Sequence, residues 1–113
     1  MPQVNISIAQ KLDAVAMNEF QLDIAKNINL LPGKSTKNTI ICIQDGCAMF
    51  KADKPLDGAF VDVRLYRALP EESKKAFSEK MYSMLKERFN IDPNAVYMNY
   101  VELEHWASEG RYY

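Results

Sequence analysis

The residue with the most distinctive chemistry is Pro2. It opens the stretch Met1-Pro2-Gln3-Val4-Asn5-Ile6-Ser7-Ile8, which alternates apolar and polar residues as a half-buried strand does. Initiator methionine is commonly removed when the next residue is small, and proline qualifies. Removal leaves a secondary amine at the tip of a strand, a titratable group that no side chain supplies. Such an amine suits proton transfer, because a general base works best near its own pKa. A free α-amine has a reference pKa of roughly 7.7–8.0. A prolyl amine is more basic in water, and burial or a neighbouring cation lowers it by disfavouring the ammonium. The structural alternative stays open here: proline is well tolerated as the first residue of a strand.

The other reactive side chains point to less. Cys42 and Cys47 are the only cysteines and His105 the only histidine. A C-x4-C pair without a second ligand pair does not make a structural zinc site, so no metal and no cofactor is expected. Two cysteines are too few for a disulfide scaffold. Free thiols in a reducing, cytoplasmic setting are the expectation. The start of the chain is too short and polar for a signal peptide and has no basic leader, although export without a leader stays open. A net charge of -1 with interleaved signs argues against a nucleic-acid surface. No apolar run approaches the ~18 residues of a membrane span.

The elements that must position Pro2 follow from periodicity. Leu12, Val15, Ala16, Phe20, Ile24, Ile28 and Leu31 recur at steps of three and four, predicting a helix over 11–31 that Pro32-Gly33 stops. Lys34 follows, where a cation interacts well with the helix carbonyl end. Thr39-Ile40-Ile41-Cys42-Ile43 reads as a strand with little exposed backbone, and 49–58 as a connection. In 59–67 Ala59, Val61, Val63 and Leu65 alternate with Phe60, Asp62, Arg64 and Tyr66, a strand with one core face. Leu69-Pro70-Glu71-Glu72 opens a second helix with the stripe Phe77, Met81, Met84, Leu85 and Phe89. The segment 95–103 is a fourth strand, with Tyr97, Asn99, Val101 and Leu103 on one face; 105–113 is a short aromatic tail.

Strand, helix, strand thus occurs twice, in halves of about 1–48 and 59–103, within one expected domain over 1–113. Two right-handed βαβ units give an α+β fold, a four-stranded mixed sheet with both helices on one face. The other face, carrying Phe60, Tyr66 and polar residues, is then left for other copies of the chain to cover in part.

At this point the residues resemble the tautomerase superfamily, closest to its macrophage migration inhibitory factor branch. The resemblance rests on Met1-Pro2, Gly33-Lys34, Asp45 through Met49-Phe50, and the run Ile91-Asp92-Pro93-Asn94-Ala95-Val96-Tyr97-Met98-Asn99-Tyr100. It implies a homotrimer with sites between subunits and a phenylpyruvate tautomerase-like isomerase acting on a small aromatic α-keto acid. In it Pro2 is the catalytic base. Lys34 lowers the amine's pKa and pairs with the substrate carboxylate, and Tyr66 contacts the substrate through its main-chain N–H. Tyr97 and Asn99 reach the site from an adjacent subunit. Trp106 is a candidate pocket wall, with ordinary terminal packing as its alternative. Asp62 and Arg64 line a polar inner surface rather than the site.

Three departures from the family pattern stand out. Lys51-Ala52-Asp53-Lys54 replaces a glycine-rich turn, Leu65-Tyr66-Arg67 replaces Ser-Ile-Gly, and the C-terminal tail is unrelated. The last two favour a second reading, a cytokine-like interaction protein with a protein receptor and a vestigial site. Decarboxylation or dehalogenation ranks below both, since such chemistry asks for added acids or arginines near the proline and only Arg64 has a plausible position.

Overall fold

The computed structural model describes residues 2–113. Met1, and with it the expected removal of the initiator residue, lies outside the described residues. Strand β1, Pro2–Ile8, buries Pro2, Val4, Ile6 and Ile8 and leaves Gln3, Asn5 and Ser7 half-buried, as its alternation predicts.

Helix α1 spans Ala14–Asn27 and continues as a 3-10 turn over Ile28–Leu30. It starts later than the apolar periodicity suggests, because the Asp13 carboxylate caps it by accepting the Ala16 N–H at 2.8 Å. Leu12 instead donates its N–H to Asp45. Phe20, Ile24, Ile28 and Leu31 are buried as expected, whereas Val15 in the first turn is 67% exposed.

Strand β2, Ile40–Gln44, differs from expectation in its surroundings. It lies at the sheet edge, paired only with β1, and Ile40, Cys42 and Gln44 face solvent. The segment read as a plain connection holds a two-stranded hairpin, β3 (Phe50–Lys51) and β4 (Lys54–Pro55). Ala52 and Asp53 both take positive φ, the backbone of a tight two-residue turn.

Strand β5, Ala59–Tyr66, and helix α2, Glu71–Phe89, follow the sequence reading closely. Asn90 ends α2 in the left-handed conformation and donates to Lys86 O at 3.0 Å. Strand β6 is Val96–Leu103. The tail forms a second hairpin, β7 (Ala107–Ser108) and β8 (Arg111–Tyr112).

The sheet order is β2-β1-β5-β6. The outer pairs β1/β2 and β5/β6 are parallel and the central pair β1/β5 is antiparallel, so the two βαβ halves meet at the middle of the sheet. Val4, Ile6 and Ile8 of β1 and Ala59, Val61, Val63 and Leu65 of β5 are fully buried with Phe20, Ile24, Phe77, Met81 and Leu85 of the helices. Each of these side chains except Ala59 contributes about 1.5–3 kcal/mol of burial energy. Phe20 and Phe89 meet edge to face at 5.1 Å and lock the helices together. On the opposite sheet face Asn5 donates to Asp62 at 3.3 Å and Arg64 pairs with the same carboxylate at 3.0 Å, beside a partly exposed Phe60.

Candidate functional site

Pro2 is buried at the start of β1, directly across from Leu65 near the end of β5. Pairing with β2 begins only at Gln3, so among the described residues β5 is the one strand that flanks Pro2. A residue without an N–H to give is suited to that terminal position.

Lys34 is brought to the same end of the sheet by the close of α1. Leu31 is fully buried and anchors the segment. Gly33 takes φ +73, which a glycine adopts without penalty, and Lys34 N–H donates to Leu31 O at 3.1 Å. The side chain then reaches β5, where its Nζ donates to the main-chain oxygen of Tyr66 at 3.3 Å. Tyr66 immediately follows Leu65, so ammonium and proline converge on adjacent residues of one strand.

The Tyr66 side chain is the centre of an aromatic group. Trp106 packs on it at 6.4 Å between ring centroids and Tyr113 at 5.9 Å. The tail hairpin fixes both, with Tyr113 N–H donating to Trp106 O at 2.8 Å. Trp106 Nε1 is buried without a hydrogen-bond partner among the described residues, a group that ordinarily finds one.

Tyr97 and Asn99 lie elsewhere in the same chain. Tyr97 pairs with Phe60 and Asn99 with Asp62, five and three residues along β5 from Leu65. At roughly 3.4 Å per residue, Tyr97 is on the order of 17 Å from Pro2 along the sheet. Tyr97 there contacts Lys51, whose ammonium donates to the phenol oxygen and lies 5.0 Å from the ring centroid. A groove of about 440 Å³ beside them is lined by Met49, Phe50, Leu56 and Phe60. One chain therefore assembles Pro2, Lys34, Tyr66 and Trp106, and carries Tyr97 and Asn99 at a separate place.

Two residues near these groups are not singled out by sequence pattern. Lys51 is one; its only signal is that it stands where the resemblance asks for glycine. Arg67 is the other. It follows Tyr66 at φ +72, donates its N–H to Leu103 O at 2.8 Å, and lays its guanidinium 5.0 Å over the Tyr66 ring. Arg64, the arginine that the sequence favours, points to the open sheet face and is held by Asp62.

The chain after β5 is tied down by Glu102 of β6, which pairs with Leu65 in the sheet. Its carboxylate accepts the Leu69 N–H at 2.6 Å and pairs with Lys74 at 3.1 Å. The Leu69 hydrogen bond first, and Lys74 second, hold its pKa below the usual carboxylate value. Next to it, burial pushes the Tyr100 phenol up, against the effect of its hydrogen bond with Ser78.

Among the described residues no three His, Cys, Asp or Glu side chains converge as metal ligands. Cys42 and Cys47 carry free thiols, and His105 Nδ1 lies 3.3 Å from the Tyr112 hydroxyl. No described helix is long and apolar enough to cross a membrane.

No protein-family model and no curated protein matches the chain. Solved structures do. The Leishmania major MIF2 structure superposes with a TM-score of 0.90 over 100% of this chain and 97% of its own, at 14% identity. A macrophage migration inhibitory factor homologue from Prochlorococcus marinus gives 0.82 over 97% of each chain at 22% identity. Pt0534, solved after inactivation by 2-oxo-3-pentynoate, gives 0.83 over 96% of this chain and 93% of its own at 15% identity. In fold, the chain is similar to these macrophage migration inhibitory factor homologues and to Pt0534.

Proposed function

We propose that the protein is a cofactor-independent keto–enol tautomerase of phenylpyruvate-like α-keto acids, with the free Pro2 amine as general base. The observation that carries this reading is the convergence at Leu65-Tyr66. Pro2 faces Leu65 across the sheet, and the Lys34 ammonium rests on the Tyr66 carbonyl. A cation beside a buried amine favours the neutral, proton-accepting form. The same cation is a point charge for the substrate carboxylate.

The reaction needs one proton moved. Pro2 nitrogen accepts a proton from C3 of the keto acid, the C–H electron pair becomes the C2=C3 bond, and a proton is delivered to the carbonyl oxygen. The product is an isomer of the substrate, so nothing is oxidised or reduced. Tyr66 and Trp106 offer an aromatic wall for the substrate ring. Tyr97 and Asn99 lie too far from Pro2 in their own chain, and join the site as the contribution of a neighbouring copy in a homotrimer. The inactivation of Pt0534 by a 2-oxo acid is consistent with keto-acid chemistry on this fold.

The test is enol–keto conversion of phenylpyruvate by protein whose intact mass verifies a free Pro2, beside Pro2→Gly. Loss of at least a hundredfold in kcat/KM supports the base assignment; equal rates remove Pro2 from the mechanism.

The second reading, an interaction protein with a receptor, is favoured by the tail, where Tyr112 stands 74% exposed on a hairpin of its own. Saturable binding to a partner that survives Pro2→Gly, without measurable tautomerase activity, would establish it instead.

A further inference from the structure

Arg67 is held in a conformation that an arginine adopts at a cost. Its φ of +72 lies in the left-handed region, which disfavours residues with a Cβ. Such outliers concentrate where function requires a fixed geometry. The conformation closes β5 against Leu103 O and turns the side chain back over Tyr66, with Nη2 3.2 Å from the phenol oxygen and donating to it.

The guanidinium has no carboxylate partner among the described residues, although Glu102 and Glu104 share a cleft of about 430 Å³ with it. Glu102 is occupied by the Leu69 N–H and Lys74. Tyr66 thus carries a cation at each end: the Lys34 ammonium on its carbonyl and the Arg67 guanidinium on its hydroxyl. The two acceptors lie at opposite ends of one tyrosine residue. A planar guanidinium with donors to spare recognises a carboxylate through paired hydrogen bonds.

We infer that Arg67 is a specificity-determining residue that receives a second, distal carboxylate, so that the preferred substrate is an α-keto diacid rather than an α-keto acid with a purely apolar ring. This rests on the proposed tautomerase site, with Lys34 taking the carboxylate next to the ketone. The acid spans Tyr66, its ring against Trp106, and its far end meets Arg67. A charged far end displaces the guanidinium from the Tyr66 hydroxyl, exchanging a neutral acceptor for an ionised one.

The experiment compares phenylpyruvate with (4-carboxyphenyl)pyruvate in wild type, Arg67→Gly and Arg67→Lys. Glycine accepts the left-handed backbone without penalty, so Arg67→Gly keeps the fold while removing the charge. The diacid is expected to have at least a tenfold higher kcat/KM than phenylpyruvate in wild type. Arg67→Gly should abolish that preference through KM and leave phenylpyruvate within threefold. Lysine should restore only part of the preference.

Binding of the unreactive pair cinnamate and 4-carboxycinnamate is measured calorimetrically on the same proteins. Tighter wild-type binding of the diacid by about tenfold, lost in Arg67→Gly, supports the clamp even where turnover is absent. Catalysis of neither keto acid with the binding preference intact overturns the tautomerase reading alone. Equal binding of both acids, or an equal loss for both in Arg67→Gly, overturns the clamp.

Discussion

The Lys34 ammonium donates to the Tyr66 main-chain oxygen at 3.3 Å. That bond ties the segment after α1 to the end of β5, one residue beyond the partner of Pro2. A carbonyl satisfies only part of an ammonium's three donors, which leaves Lys34 able to bind an anion. Lys34→Ala should therefore raise KM for phenylpyruvate by about ten- to a hundredfold, the loss of a charge-assisted contact. Lys34→Arg should recover part of it. Unchanged steady-state constants in Lys34→Ala would remove the ammonium from the site.

The separation of Tyr97 from Pro2 within one chain makes a complementation test possible. Pro2→Gly and Tyr97→Ala chains are each expected to lose activity alone. Refolded together in equal amounts they should regain it, because about one site in four then joins an intact Pro2 to a neighbour's intact Tyr97, given random mixing in a closed symmetric assembly. Activity in the mixture no higher than the sum of the separate chains would place Tyr97 outside the site.

Gly58 carries a purely structural demand at the hairpin–β5 junction. A Cβ built there would lie 2.2 Å from the main-chain oxygen of Ala95, which cannot move aside as a side-chain tip can. Gly58 O also accepts the Ala9 N–H at 3.0 Å, so the backbone is held from two sides. Gly58→Ala should cost about 2–4 kcal/mol of stability, read from the midpoint of urea unfolding. The wild-type midpoint in this variant would show that the Ala95 backbone shifts freely.

Sequence pattern reached the sheet and both helices for physical reasons. Strict alternation in Val4-Ile6-Ile8 and Ala59-Val61-Val63-Leu65 determines which face is core, and Pro32-Gly33 must end a helix wherever it falls. Features set by tertiary context were not legible. The apolar run Thr39–Ile43 looks buried, yet β2 is an edge because its outward residues meet no strand. The hairpin around Ala52-Asp53 lacks the glycine or asparagine that announces such a turn. The sequence favours Arg64 over Arg67 because alternation says where a side chain points within a strand, not what the backbone does after the last pair. The left-handed φ of Arg67 replaces the strand direction there. The offset of Tyr97 from Pro2 depends on strand register and not on either residue's own segment.

Glu102 gives the fold an acid-sensitive latch. Its carboxylate joins β6 to the start of α2 through the Leu69 N–H and Lys74, and these bonds favour the ionised form, so its pKa in the folded chain lies below the usual value. A carboxyl depressed on folding stabilises the native state at pH values above its unfolded pKa, roughly 4.3. That contribution is lost as the pH falls through the lower, folded value, because below it both states hold the proton. Glu102→Gln keeps a hydrogen-bond acceptor for Leu69 but removes the titration. The variant should be less stable than wild type at pH 7, and the gap should narrow as the pH is lowered towards 3. Urea midpoints of both proteins across that range provide the reading. Parallel curves, with the gap unchanged from neutral to acid, would mean that the Glu102 carboxylate is equally well solvated in the folded and unfolded chain.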